Sequence, residues 1–165
     1  MRSPKTKTLV LSALFTAIIF VFTAYILHIP FLNGYIHFGD AFIFLAASLL
    51  PLPYSAFAAA IGAGLADLLT FPLWTGPTLL IKALIALCFS ARTERIICKR
   101  NLIGLAAALC INLVGYYIAT GLLFEDWLIP VIRLGTDLAP PLISACLYVT
   151  LGHLLDRLSI RTLFQ

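Results

Sequence analysis

Six apolar stretches, each long enough for a helix, fill most of the 165 residues of this chain. Short segments rich in Pro, Gly and Asn, or in Arg and Lys, separate them, and such segments end helices. The pattern predicts helices at about residues 8–27, 37–50, 54–69, 78–91, 102–124 and 133–155. A spanning helix takes about 20 residues. We therefore predict an all-α membrane protein with six transmembrane helices, forming a single domain over residues 1–165.

The second and fourth predicted helices are short, at about 14 residues or roughly 21 Å. The hydrocarbon core of a bilayer is roughly 30 Å thick. Either the true boundaries differ by a few residues, or the adjoining loops dip into the protein and line a cavity. Irregular backbone at membrane depth is tolerated only where protein or water surrounds it.

Basic residues lie almost entirely on one side of the predicted helices. Short cytoplasmic segments retain positive charge during insertion, so the bias predicts that both termini are cytoplasmic, as in a multi-pass protein of the bacterial cell membrane. Hydrophobic residues make up 62% and charged residues 11%, which excludes an ordinary soluble domain. The net charge of +4 is then topogenic and does not indicate nucleic-acid binding. Nine of the 11 Lys and Arg residues are on the cytoplasmic side: Arg2, Lys5, Lys7, Arg92, Arg95, Lys99, Arg100, Arg157 and Arg161.

The basic start followed by an apolar run has the outline of a secretory signal. The run extends from Leu9 to about Leu27, which is too long for the apolar region of a signal peptide. We therefore expect this segment to be retained as the first helix.

Four charged side chains interrupt the apolar pattern near the outer ends of the helices: Asp40, Asp67, Lys82 and Asp137. A charge near the bilayer centre costs roughly 2.5–3.5 kcal/mol on insertion scales, so these groups should face the bundle interior and pair. Lys82 is expected to pair with Asp67 or Asp40. The alternative to a ligand-binding role is that they only hold helices together.

Other polar and aromatic side chains are predicted near this level, except that Asn112 lies deeper, in the middle of the fifth helix. His37 shares a helix face with Asp40, Asn112 and Tyr116 share another, and Arg133 and Asp137 form an i,i+4 pair. Trp74 lies in a loop rich in Pro and Gly, although Trp and Tyr also collect at membrane interfaces. Aromatic faces with a few fixed polar groups suit a small planar ligand. The predicted ligand-binding residues are His37, Asp40, Asp67, Trp74, Lys82, Asn112, Tyr116 and Asp137.

Several motifs of enzymes and metal sites are missing from the sequence. The four cysteines form no CxxC or Cys/His cluster, so we expect no metal site and no cofactor. Walker A, HExxH and GxSxG sequences do not occur either, which leaves no nucleotide site of that kind and no catalytic residues to assign.

Four segments carry a resemblance to a known family: Ala13-Leu-Phe-Thr-Ala17, Tyr35-Ile-His-Phe-Gly-Asp40, Gly64-Leu-Ala-Asp67 and Pro77-Thr-Leu-Leu-Ile-Lys82. Together with the six-helix layout, they resemble the substrate-binding S components of energy-coupling-factor (ECF) vitamin transporters. The resemblance is closest to the branch that includes hydroxymethylpyrimidine, pyridoxine and riboflavin S components.

The resemblance implies a mechanism. An S component binds a vitamin at its outer face, under the loops between helices 1–2 and 3–4. It then docks on a transmembrane coupling protein through small residues of helix 1, here Ala13 and Ala17. Two ATPases drive the cycle, and the S component topples in the bilayer to release its cargo inside. We expect a small pyrimidine or pyridine, such as hydroxymethylpyrimidine or pyridoxine, as the cargo, with riboflavin as the main rival.

Three other classes of function stay open at this stage. In a stand-alone proton-coupled carrier, Asp40, Asp67 and Lys82 would form the coupling relay. An intramembrane enzyme would use His37 and Asp40 as an acid/base pair, but the sequence offers it no nucleophile or metal set. A purely structural membrane subunit is the third.

Overall fold

The computed structural model describes residues 4–26, 29–31, 34–36 and 38–158. In these residues all six predicted helices are present, which confirms the all-α class. They are α1 (Pro4–Ala24), α2 (Gly39–Leu49), α3 (Tyr54–Thr70), α4 (Thr75–Leu87), α5 (Lys99–Phe124) and α6 (Leu128–Arg157). A 3-10 turn, Pro72–Trp74, precedes α4.

A small antiparallel hairpin joins α1 to α2, where the sequence predicts only a segment that ends a helix. Its strands are β1 (Ile29–Phe31) and β2 (Gly34–Ile36), paired in register with Pro30 opposite Tyr35. β2 lies beside α6. The hairpin marks the end of the bundle where α1 stops and α2 begins, called the outer end below.

Four helices, α1, α4, α5 and α6, begin three to five residues earlier than predicted. In α4 and α6 this is possible because proline is tolerated in the first turn of a helix. α4 begins at Thr75 and α6 at Leu128, so Pro77 and Pro130 occupy the third helical position. The first N–H groups of a helix have no intrahelical acceptor, and a proline there sacrifices no hydrogen bond. The backbone N–H of Leu128 donates instead to Oδ1 of Asp126, at 2.8 Å.

α2 is the central helix of the bundle. Ten of its 11 residues are buried, and it packs against α1, α3, α4 and α6. At about 1.5 Å per residue it is roughly 16 Å long, too short to cross a bilayer alone. Because neighbouring helices enclose it, its ends meet protein, which is the condition under which short helices and loops are tolerated at membrane depth.

Three helical segments of the described chain are long and apolar enough to cross a membrane: Lys5–Ala24, Lys99–Phe124 and Asp137–Arg157. Shorter apolar helices cover Gly39–Leu49, Tyr54–Thr70 and Pro72–Leu87. A membrane protein built of apolar helices is therefore supported, while the count of six spans and the cytoplasmic position of both termini stay predictions.

Small residues bring α3 against α1. Ala58, Ala59, Gly62, Ala63 and Ala66 are all buried on α3. A β-carbon added at Gly62 would lie 2.8 Å from the carbonyl oxygen of Thr16 and 2.9 Å from Ile19. The small residues of α3 therefore serve packing inside the bundle.

The opposite end of the bundle, predicted to be cytoplasmic, is tied together by buried polar groups. The carboxylate of Asp156 accepts hydrogen bonds from the backbone N–H groups of Ile96 and Ile97, at 2.8 and 3.0 Å. The Tyr148 hydroxyl lies 2.9 Å from that of Ser48 on α2 and donates to the carbonyl of Ile96 at 3.3 Å. The basic loop between α4 and α5 is thus anchored to α2 and α6.

Candidate functional site

Three helices each contribute one side chain to a buried ion-pair centre at the outer end. Nζ of Lys82, from α4, lies 2.8 Å from Oδ1 and 3.0 Å from Oδ2 of Asp40, from α2. It also donates to Oδ1 of Asn112, from α5, at 3.4 Å. Nδ2 of Asn112 donates to Oδ2 of Asp40 at 3.1 Å. The three side chains therefore bond one another in a closed triangle.

The burial of this triangle makes the pairing essential. Asp40 and Lys82 are each 2% exposed, and Asn112 is 5% exposed. A charge removed from water is tolerated only when it is paired and hydrogen-bonded. The sequence left Asp40 and Asp67 open as partners of Lys82, and the structure selects Asp40.

A second set of hydrogen bonds joins Asp67 to Tyr116 through Thr78. Oγ1 of Thr78 donates to Oδ2 of Asp67 at 2.5 Å and lies 2.9 Å from the Tyr116 hydroxyl. Nζ of Lys82 lies 5.1 Å from the centre of the Tyr116 ring, within cation–π range. This contact joins the two sets, and we call them together the polar network: Asp40, Asp67, Thr78, Lys82, Asn112 and Tyr116.

Sequence reasoning missed Thr78 as a member of the network. Threonine carries no charge, and in an apolar helix it ordinarily bonds the carbonyl one turn earlier. One signal was present: Thr78 and Lys82 are four residues apart on α4, so they share a helix face.

Aromatic rings lie against the network on the side of the α3–α4 connection. The 3-10 turn brings Trp74 to Tyr116, with ring centroids 5.8 Å apart, and to Phe124 at 6.3 Å. Trp127 is about half exposed, and its ring centroid lies 6.2 Å from that of Tyr117. Trp74 is thus the tryptophan adjacent to the polar network.

The structure brings together six of the eight predicted ligand-binding residues: Asp40, Asp67, Trp74, Lys82, Asn112 and Tyr116. Asp137 is in a different environment, paired with Arg133 on its own helix at 3.7 Å, with a side chain 30% exposed. This is the i,i+4 pair that the sequence predicted. His37 lies outside the described residues.

The two alanines predicted to contact a partner lie on the surface of α1. Ala13 and Ala17 are both exposed. Ala13 also lines an open groove of about 510 Å³ between α1 and α3, together with Leu9, Thr16, Phe57 and Ile61. The groove is mostly apolar, as is expected of a surface that meets lipid or another membrane helix.

Comparison with known proteins adds three findings. A protein of Pyrococcus woesei, described as "uncharacterized protein in gap 3'region", is 43% identical over 54 residues, which are 33% of this chain and 36% of the relative. The match thus spans about a third of the length of that relative. No solved structure matches the chain at a significant level.

The third finding covers nearly the whole chain. The sequence profile of the family described as "ECF-type riboflavin transporter, S component" matches residues 3–157. S components are membrane-embedded transporter subunits that work with a vitamin and an ECF module of membrane and ATPase subunits, and they are not a class of enzyme. The match includes all four segments that carried the resemblance and every residue of the polar network. The chain belongs to the ECF-type riboflavin transporter S component family.

Proposed function

We propose that this S component binds a small planar heteroaromatic vitamin or precursor, such as hydroxymethylpyrimidine or pyridoxine, at the outer end of the bundle. The observation that carries the proposal is the convergence of six predicted residues from α2, α3, α4, α5 and the 3-10 turn around one buried network. A role in holding helices together would explain the ion pair. It would not explain why aromatic rings and a carboxamide lie at the same place.

The chemistry of the network suits such a ligand. Trp74 and Tyr116 offer ring faces for stacking, and ring stacking favours offset or tilted contacts over about 4.5–7 Å. Asn112 uses one amide hydrogen on Asp40, and its carboxamide has a second hydrogen to donate. We include His37 and Asp137 in the proposed site as residues that approach the ligand from the α1–α2 connection and from α6.

Riboflavin is the second candidate, and the description of the matching family favours it. Its three fused rings need a longer slot than one pyrimidine or pyridine ring. A direct comparison of the three compounds therefore decides between the candidates.

The test is to purify the chain in detergent, denature it, and identify the released small molecule by mass spectrometry. We expect a vitamin or precursor in about equimolar amount, because S components bind tightly enough to retain cargo. Titration of the emptied protein with hydroxymethylpyrimidine, pyridoxine and riboflavin then ranks the three compounds. A preparation that releases none of these compounds and gains no thermal stability from any of them contradicts the proposal.

We further propose that Ala13 and Ala17 form the contact with the transmembrane coupling protein, and that two ATPases drive transport. Small exposed residues let another helix approach closely in lipid. Uptake by the chain alone, driven by a pH gradient in liposomes, contradicts this arrangement and supports a stand-alone carrier.

Substituting both alanines with Trp separates docking from binding. We expect vitamin uptake by cells that also express the ECF module to fall at least roughly tenfold, because two indole rings keep the helices apart. A tenfold loss of docking affinity corresponds to about 1.4 kcal/mol of contact energy. Ligand affinity of the purified variant is expected to match that of the unmodified chain. Val114→Trp, at an exposed position of α5, is the matched control and should retain uptake. Full uptake by the double variant contradicts the docking assignment.

A further inference from the structure

We propose that Thr78 is a positioning residue that holds the Tyr116 hydroxyl as a hydrogen-bond acceptor, so that the site selects ligands presenting an N–H or O–H donor there. The inference rests on the proposed function, because it requires a ligand beside Tyr116. It concerns the donor and acceptor pattern of that ligand, which the family match does not specify.

Thr78 has a hydroxyl with one proton and two hydrogen-bond partners. Its side chain is 1% exposed, and its Oγ1 lies 2.5 Å from Oδ2 of Asp67 and 2.9 Å from the Tyr116 hydroxyl. A hydroxyl has one proton to donate, whereas an ionised carboxylate can only accept. The Thr78 proton therefore goes to Asp67, and Thr78 must accept the proton of Tyr116.

The direction of this chain determines what Tyr116 offers to a ligand. With its proton committed to Thr78, the phenolic oxygen has only lone pairs left. The ring itself is held between the ammonium of Lys82, 5.1 Å from its centre, and the indole of Trp74, 5.8 Å away. A ligand N–H or O–H can donate to this oxygen, while a ligand carbonyl or ether oxygen meets it lone pair to lone pair.

The resulting preference is for exocyclic amino or hydroxyl groups, or for a protonated ring nitrogen. Matched probes differ at one such group. For the pyrimidine, these are hydroxymethylpyrimidine and its analogue with a methoxy group in place of the ring amino group. For the pyridine, they are pyridoxine and its analogue with a methoxy group in place of the ring hydroxyl. For the flavin, they are riboflavin and N3-methylriboflavin, which lacks the N–H donor. The pair used is the one whose parent binds the unmodified chain.

The test compares the dissociation constants of the two probes in the unmodified chain, in Thr78→Val and in Thr78→Ser. One hydrogen bond gained or lost is worth about 1 kcal/mol, so we expect the donor probe to bind about fivefold tighter to the unmodified chain. In Thr78→Val the Tyr116 proton is released and can be donated, and the ratio of the dissociation constants should fall to about one.

Two further variants serve as controls. Thr78→Ser restores the hydroxyl and should restore the ratio, which a role in packing alone does not predict. Thr150→Val removes an exposed hydroxyl that bonds a helix carbonyl and controls for the substitution itself.

Two results overturn the inference while leaving the proposed function intact. The first is a ratio of the two dissociation constants in Thr78→Val equal to that in the unmodified chain. The second is an unmodified chain that prefers the probe without the donor group. If Thr78→Val does not fold, Tyr116→Phe replaces it, and an unaltered ratio there overturns the inference equally. An unmodified chain that binds none of the parent vitamins overturns the proposed function itself, and the inference with it.

Discussion

Replacing Lys82 with Met is expected to abolish measurable ligand binding and to lower the free energy of unfolding by about 3–5 kcal/mol. Methionine is close to lysine in volume but has no charge, so the carboxylate of Asp40, 2% exposed, loses its counter-ion. Asn112 still bonds that carboxylate, but a buried charge that has lost its ion-pair partner is strongly unfavourable. Isothermal titration with the identified vitamin measures the first effect, and equilibrium unfolding in detergent micelles measures the second.

Two further variants make the Lys82 result specific. Lys99→Met removes an exposed charge at the start of α5, and it should alter neither stability nor affinity. Adding Asp40→Asn to Lys82→Met removes the orphaned charge and should recover most of the stability, because replacing both partners of a buried pair is often nearly neutral. Ligand binding should not return in the double variant. A Lys82→Met protein with full affinity contradicts the assignment of the site.

The second large effect is expected at the α1–α3 contact. Gly62→Leu should lower the free energy of unfolding by about 3 kcal/mol, the upper part of the range for overpacked cores. The β-carbon of the new side chain would by itself lie 2.8 Å from the carbonyl oxygen of Thr16 and 2.9 Å from Ile19. Backbone cannot yield as a flexible side chain does, so α1 must move away from α3.

Gly135→Leu is the matched control for this substitution. Gly135 also lies within a helix, but a β-carbon there has no neighbour within 4 Å in the described structure. Replacing glycine with a good helix former at such a position should stabilise the protein by roughly 0.5–1 kcal/mol. Equal stability losses in the two variants would show that the α1–α3 contact is not tightly packed.

Much of the polar network could be predicted from sequence because charges are rare in apolar helices. Asp40, Asp67 and Lys82 are conspicuous there, and their distance from the helix ends places all three at one level. Asn112 was predicted as a polar residue in the middle of α5, with Tyr116 one turn further out on the same helix face. Position along a helix axis follows directly from counting residues, so these assignments needed no knowledge of how the helices pack.

Thr78 and Asp137 show what counting residues along a helix cannot predict. Thr78 carries no charge, and its role becomes visible only when α3 and α5 are both beside α4. Asp137 has the same predicted depth as the others, yet it pairs with Arg133 and is 30% exposed. Its depth is compatible with either environment, because depth contains no information on the rotation of α6 about its axis.

By itself, the sequence determined six apolar helices, their order, and a set of charged and aromatic residues gathered at one end. The reason is that hydrophobic runs and rare charges are local properties of the chain. Only the tertiary structure decided that α2 lies at the centre, that Lys82 pairs with Asp40, and that Thr78 connects Asp67 to Tyr116. These choices depend on which helices are neighbours and how each is rotated, and both follow from close packing between segments distant in sequence, such as Gly62 of α3 against Thr16 of α1.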